Sequence, residues 1–158
     1  RFLEFLENLY QSAIPFELIL LGVGADDEKS EWAPWIEKWQ QSIVQKGTAS
    51  TDEEYSTWLQ RADFIVHDPR QEFFGISLVE AMWHGTIPIV PKSGPYSEYV
   101  PEEFLSNSPV PMIQTWHDLT APSVEALRTR SHAAVTQFCH TSQHIFWHQS
   151  LCALQQLP

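Results

Sequence analysis

Apolar positions change period several times along this chain. Phe2, Leu3, Leu6, Leu9 and Tyr10 recur at helical spacing. Phe16 to Leu21 is a short, mainly apolar run ended by Gly22, and reads as a buried strand. Between Glu31 and Gln41, Trp32, Trp35, Ile36 and Trp39 fall on one helical face. Ser42 to Lys46 is a short strand candidate closed by Gly47. Ser50 to Ala62 opens with the cap-forming residues Ser50, Thr51 and Asp52, then acids in the first turn, which predicts a helix. The Thr51–Glu54 spacing fits a capping box. Phe64-Ile65-Val66, within Asp63 to His67, is a third strand, and Ile76 to Trp83 is a helix. Thr86 to Val90 is a fourth strand, in which Pro88 implies a sheet edge or a local departure. Pro122 to Cys139 and Thr141 to Leu154 read as two closing helices.

Strands alternating with helices predict βαβ units and a parallel sheet covered on both faces. In such sheets ligands bind beyond the carboxyl ends of the strands. Gly22-Val23-Gly24, Lys46-Gly47-Thr48 and the loops at 68–75 and 91–98 all follow strands, so all four should open on one rim. Gly22-Val23-Gly24 resembles the start of a dinucleotide fingerprint, but it lacks the third glycine and the helix that should follow at once. Asp26-Asp27-Glu28 would also repel phosphate, so a tight turn is the better reading. A length of 158 residues fits one domain. The chain starts at Arg1, inside a helical pattern, and is expected to be a piece of a longer protein.

Charge narrows the partners. Nine basic against 20 acidic residues give a net charge of −11, which disfavours non-specific binding of nucleic acid or anionic membrane. A polyanionic substrate would have to be held by another part of the protein. No apolar run approaches the ~20 residues of a membrane span. Cys139 and Cys152 form no disulfide framework, and a reduced, cytoplasmic setting is expected.

The chemistry concentrates between Gln71 and Gly85. A helix N-terminus presents unpaired N–H groups and a partial positive charge, the natural seat of a phosphate. Glu72 stands before that terminus and Glu80 lies inside the helix, with seven residues between them. Gly75 lets the backbone approach a ligand closely. Glu80 sits among Leu78, Val79, Ala81 and Met82, an unusual place for a purely solvated acid, and helical side chains lean toward the N-terminus. Lys92, just after the fourth strand, is a candidate cation for a diphosphate. His140, His144, His148 and Cys152 step by four, but twelve residues of helix rise ~18 Å, too far for one metal site. Neither a Ser–His–Asp order nor a nucleophile elbow is present.

Glu72, Phe74, Gly75, Glu80, Ala81, Gly85 and Pro88 occur in the order of the E-x7-E motif of retaining glycosyltransferases with the GT-B fold. Upstream, Leu20-Leu21-Gly22, Gly47, Tyr55, Leu59, Ala62 and Asp63 match further landmarks. The chain therefore resembles the donor-binding half of such an enzyme over roughly residues 16–101. Glu72-Phe73-Phe74-Gly75, Pro91-Lys92, Tyr96, Glu98, Pro101 and Glu103-Phe104-Leu105 are similar, more narrowly, to the tRNA-queuosine α-mannosyltransferase group, with departures at Gln71 and Ser97.

The resemblance implies a Rossmann-like three-layer α/β/α domain, one half of a GT-B fold. It implies that Glu72 contacts the donor sugar as the catalytic residue. Phe74, Gly75, Ile76 and Ser77 would offer N–H groups to the diphosphate, and Glu80 would accept from both ribose hydroxyls. Lys46-Gly47-Thr48 would lie along the base, with Lys92 near the phosphates. The donor would be GDP-mannose, with no metal and no other cofactor. The acceptor would be queuosine in tRNA, held mainly by an N-terminal half absent from this chain, as is the first strand of this half. A lipid or polysaccharide acceptor, or a degenerate binding module, are the alternatives.

Overall fold

The computed structural model describes residues 2–22, 33–67 and 73–139. Among these residues, six helices, α1 (Phe2–Gln11), α2 (Ala33–Trp39), α3 (Asp52–Arg61), α4 (Ile76–Trp83), α5 (Pro109–His117) and α6 (Ala121–Val135), are interleaved with four strands. The strands are β1 (Leu18–Leu21), β2 (Ile43–Gly47), β3 (Phe64–Val66) and β4 (Ile87–Ile89). Short 3-10 turns cover Pro95–Glu98, Glu102–Phe104 and Thr136–Cys139. The closing helix expected over Thr141–Leu154 lies outside the described residues. Helix α5 was not foreseen, because Pro109 and Pro111 break the sequence signal. Both sit in its first turn, where a missing N–H costs no helical bond.

The strands pair in parallel, as expected, but as two pairs rather than one continuous sheet. Strand β1 pairs with β2, bringing Leu21 opposite Gly47, and β3 pairs with β4, bringing Val66 opposite Ile89. Strand β1 was expected to be buried, yet β1 and β3 are both half-buried along their length. The reason is a groove of about 860 Å³ between them, lined by Leu18 to Leu21 on one side and Phe64 to His67 on the other. Leu18 and Gly22 donate to Ser42 and Gly47 across the β1–β2 ladder. The alternation of a strand therefore turns the backbone groups of Ile19 and Leu21 toward the groove. His67 donates to Ile89, and Asp63 accepts from Ile87. The same alternation turns Phe64 and Val66 toward the groove.

Pro88 fits this geometry. Its neighbours Ile87 and Ile89 make the bonds to β3, so its missing N–H faces away from the ladder. Beyond it, Val90 bridges Leu105 in parallel.

Two apolar clusters hold the elements. One gathers Leu78 and Met82 of α4, Ile87, Tyr96, Tyr99, Phe104 and Leu127 of α6. The other joins Phe5, Leu6 and Leu9 of α1 to Trp39, Ile89 and Ile113. Phe64 and Trp116 pack against both, and their rings stack 5.6 Å apart. On the rim opposite the candidate site, Arg128 of α6 donates to the carbonyls of Gln60, Ala62 and Gly85 and to Asp63 at 2.8 Å. One guanidinium thereby satisfies carbonyls that the ends of α3 and α4 leave open.

Helix α4 is thus buried on one face and exposed on the other at its first turn. Leu78→Ala should cost roughly 2–5 kcal/mol of stability by denaturant titration. Ser77→Ala, one residue earlier but exposed, should stay within about 0.5 kcal/mol.

Candidate functional site

The site is built around the start of α4. Its N-cap is Gly75, in the left-handed region with φ 85° and no side chain to cap the helix. Gly75 accepts from the N–H groups of Leu78 and Val79, which closes the first turn. The amides of Ile76 and Ser77 precede those bonds, so the helical ladder does not use them. Both residues are exposed, and no acid stands in the first turn of α4. The arrangement favours an anion at this end.

An aromatic group fixes the approach to Gly75. The carbonyl of Phe74 accepts from the Tyr99 hydroxyl at 2.5 Å, and the Phe74, Tyr99 and Phe138 rings lie within 5.7 Å of one another. A Cβ added at Gly75 would come within 3.0 Å of the Tyr99 hydroxyl, with Tyr96 also close. The loop after β4 therefore packs onto the N-terminus of α4, as a common rim requires. His67, at the end of β3, meets Tyr96 edge to face at 6.0 Å.

Glu80 lies one turn further along α4 and is half-buried. Its Oε2 accepts a hydrogen bond from the Tyr55 hydroxyl of α3 at 3.0 Å. Burial pushes the Glu80 carboxyl above its ordinary value; the Tyr55 hydrogen bond lowers it, and the charge of Asp52 raises it. Burial and the adjacent Glu80 charge push the Tyr55 hydroxyl up, so it remains a donor. Tyr55 itself is held by the start of α3. Thr51 accepts from the Glu54 N–H at 3.1 Å, as the capping box expects, while Glu54 accepts from the Ser50 N–H at 2.7 Å, one residue before the N-cap. The Ser50 hydrogen bond holds the Glu54 carboxyl below its usual range.

The other expected site residues are placed as follows. Gly47, buried at the end of β2 with φ 101°, accepts from Gly22, so those two loops share a rim; Thr48 follows it, exposed. Lys92 is exposed past β4, its N–H donating to Asn107. Glu72 lies outside the described residues, as do His140, His144, His148 and Cys152. Among the described residues, no group of three His, Cys, Asp or Glu is arranged for a metal ion. No helix among them is long and apolar enough to cross a membrane. Sequence reasoning had Tyr55 only as a landmark and Tyr99 not at all. Each makes its decisive contact with a residue 25 positions away.

The family described as Glycosyl transferases group 1 matches residues 1–108. The chain belongs to that family. It is 29% identical over 101 residues to a tRNA-queuosine alpha-mannosyltransferase of Drosophila melanogaster, covering 64% of this chain. It spans about a quarter (26%) of that relative's length. The crystal structure of Anabaena HepE in complex with UDP and glucose superposes with a TM-score of 0.68 at 19% identity. That match covers 98% of this chain and 44% of HepE. The fold is the Rossmann-like α/β domain of a GT-B glycosyltransferase.

In this group 1 chain, Gly75 combines a left-handed backbone with a tighter contact than Gly22, Gly85 or Gly94 would meet. Gly75→Ala should destabilise by about 1–3 kcal/mol, because it combines a left-handed backbone with a Tyr99 contact. Thermal melting of Gly75→Ala beside Ile76→Ala, an exposed neighbour, measures the difference.

Proposed function

We propose that this chain is the donor-binding domain of a retaining glycosyltransferase that moves a hexose from a nucleotide sugar, with mannose from GDP-mannose passing to queuosine in tRNA. The observation that carries the reading is Glu80, set one turn behind the uncapped start of α4 and held by Tyr55. Family membership and the partial match to the Drosophila mannosyltransferase support it.

In this reading the Ile76 and Ser77 amides, with those of Phe74 and Gly75, hold the diphosphate. Glu80 accepts from the ribose hydroxyls, Lys46-Gly47-Thr48 flank the base, Lys92 lies near the phosphates, and Glu72 contacts the sugar. Charge grows on the diphosphate as it leaves, and fixed N–H dipoles aimed there lower the barrier, each worth roughly 2.7–4 kcal/mol. The acceptor attacks the sugar on the face from which the diphosphate departs. The acceptor hydroxyl gives its proton to the leaving phosphate, so no separate nucleophile is needed. The helix end and Lys92 stand in for a divalent metal.

The rest of the enzyme is part of the proposal. A second Rossmann-like half closes over the donor and holds the acceptor; the net charge of −11 supports leaving a tRNA's backbone to that half. A strand leading into α1 fills the groove between β1 and β3, since a parallel βαβ connection sets such a strand beside β1. This chain alone would then bind nucleotide weakly and transfer nothing. A UDP-hexose donor is the second reading, favoured by the UDP and glucose bound to HepE.

Titrating GDP, UDP and ADP against the full-length enzyme decides among these. GDP should bind tightest, and Glu80→Ala should weaken it roughly 10- to 100-fold through loss of a charged acceptor. UDP preference would select the second reading, and no binding would leave a degenerate module. Glu72→Ala should lower turnover more than GDP affinity. EDTA should leave turnover intact; abolished turnover would contradict the metal-free mechanism.

A further inference from the structure

Glu80 has two carboxylate oxygens, and one of them is already engaged. Oε2 accepts from the Tyr55 hydroxyl, donated from another helix. A glutamate side chain has three rotatable bonds, and a carboxylate serving two adjacent hydroxyls must be held in one orientation. Tyr55 is suited to that task. Its ring is rigid, and it lies one turn into α3, whose first turn is fixed by Thr51, Ser50 and Glu54. Tyr55 is half-buried, and its hydroxyl meets Glu80 one turn from the open end of α4.

We propose that Tyr55 is the positioning residue of the ribose site, fixing Glu80 so that its free oxygen meets the nucleotide. The inference rests on the donor-site reading above and adds to it a residue on a different helix. It also makes nucleotide binding pH-dependent in a defined direction. Binding needs the Glu80 carboxylate, so it weakens as pH falls through the Glu80 pKa. That pKa lies above the ordinary value because of burial, with Tyr55 and Asp52 of α3 pulling in opposite directions. Removing the Tyr55 hydroxyl should move the fall-off to higher pH. Removing the Asp52 charge should move it to lower pH.

The test uses the full-length enzyme with GDP and with 2′-deoxy-GDP and 3′-deoxy-GDP. Tyr55→Phe should weaken GDP roughly two- to tenfold and shift the pH dependence upward, with kcat unchanged at saturating donor. The loss should shrink for the deoxy nucleotides and vanish in a Glu80→Gln background. Asp52→Asn should shift the pH dependence the opposite way. If Glu80→Gln weakens GDP but Tyr55→Phe does not, in affinity or pH profile, the positioning role is overturned and the ribose reading stands. If neither variant changes GDP affinity and the deoxy nucleotides bind like GDP, the ribose reading itself is overturned.

Discussion

The rim of this domain depends on one backbone conformation, the left-handed turn at Gly75. That turn starts α4 without a capping side chain and aims the Ile76 and Ser77 amides outward. A serine or aspartate N-cap would stabilise the isolated helix by about 1 kcal/mol, but it would also place an acceptor where an anion should sit. The helix instead draws its stability from Leu78, Ala81 and Met82, all fully buried. Tyr99 and Phe138 brace the preceding residue. Local capping energy is given up for an open helix end, and tertiary packing offsets the loss.

The same division explains the two ends of the strand pairs. At the opposite rim, carbonyls at the ends of α3 and the α4–β4 turn are gathered by Arg128. At the carboxyl ends of the strands, Gly22 meets Gly47, His67 meets Tyr96, and α4 begins. One rim is tied shut, and the other lies at the carboxyl ends of the strands, where parallel α/β folds bind ligands.

The sequence made much of this legible. Helix α4 matches its expected bounds because Gly75 and Gly85 punctuate it and Leu78 to Met82 set its period. The cap at Thr51 was equally readable, since a capping box is a local pattern. Two kinds of feature were hidden. Helix α5 carries its prolines where a helix tolerates them, and a linear reading counts proline as a breaker. The Tyr55–Glu80 and Tyr99–Phe74 contacts join residues far apart in sequence, and a tyrosine inside an amphipathic helix looks like ordinary packing. The half-burial of β1 and β3 was likewise unreadable, because it depends on what lies between two strands that do not touch. Glu72, the other end of the motif, was legible only through its spacing and lies outside the described residues.

In the reading proposed above, the start of α4 and the Glu80 carboxylate together hold a nucleoside diphosphate. A crystal structure of the full-length enzyme with GDP tests it most directly. Phosphate oxygens should lie within hydrogen-bond distance of the Ile76 and Ser77 amides, and a ribose hydroxyl on Glu80, with Tyr55 still donating to the same carboxylate. A nucleotide seated elsewhere on the protein, with Glu80 facing only Tyr55, would contradict it.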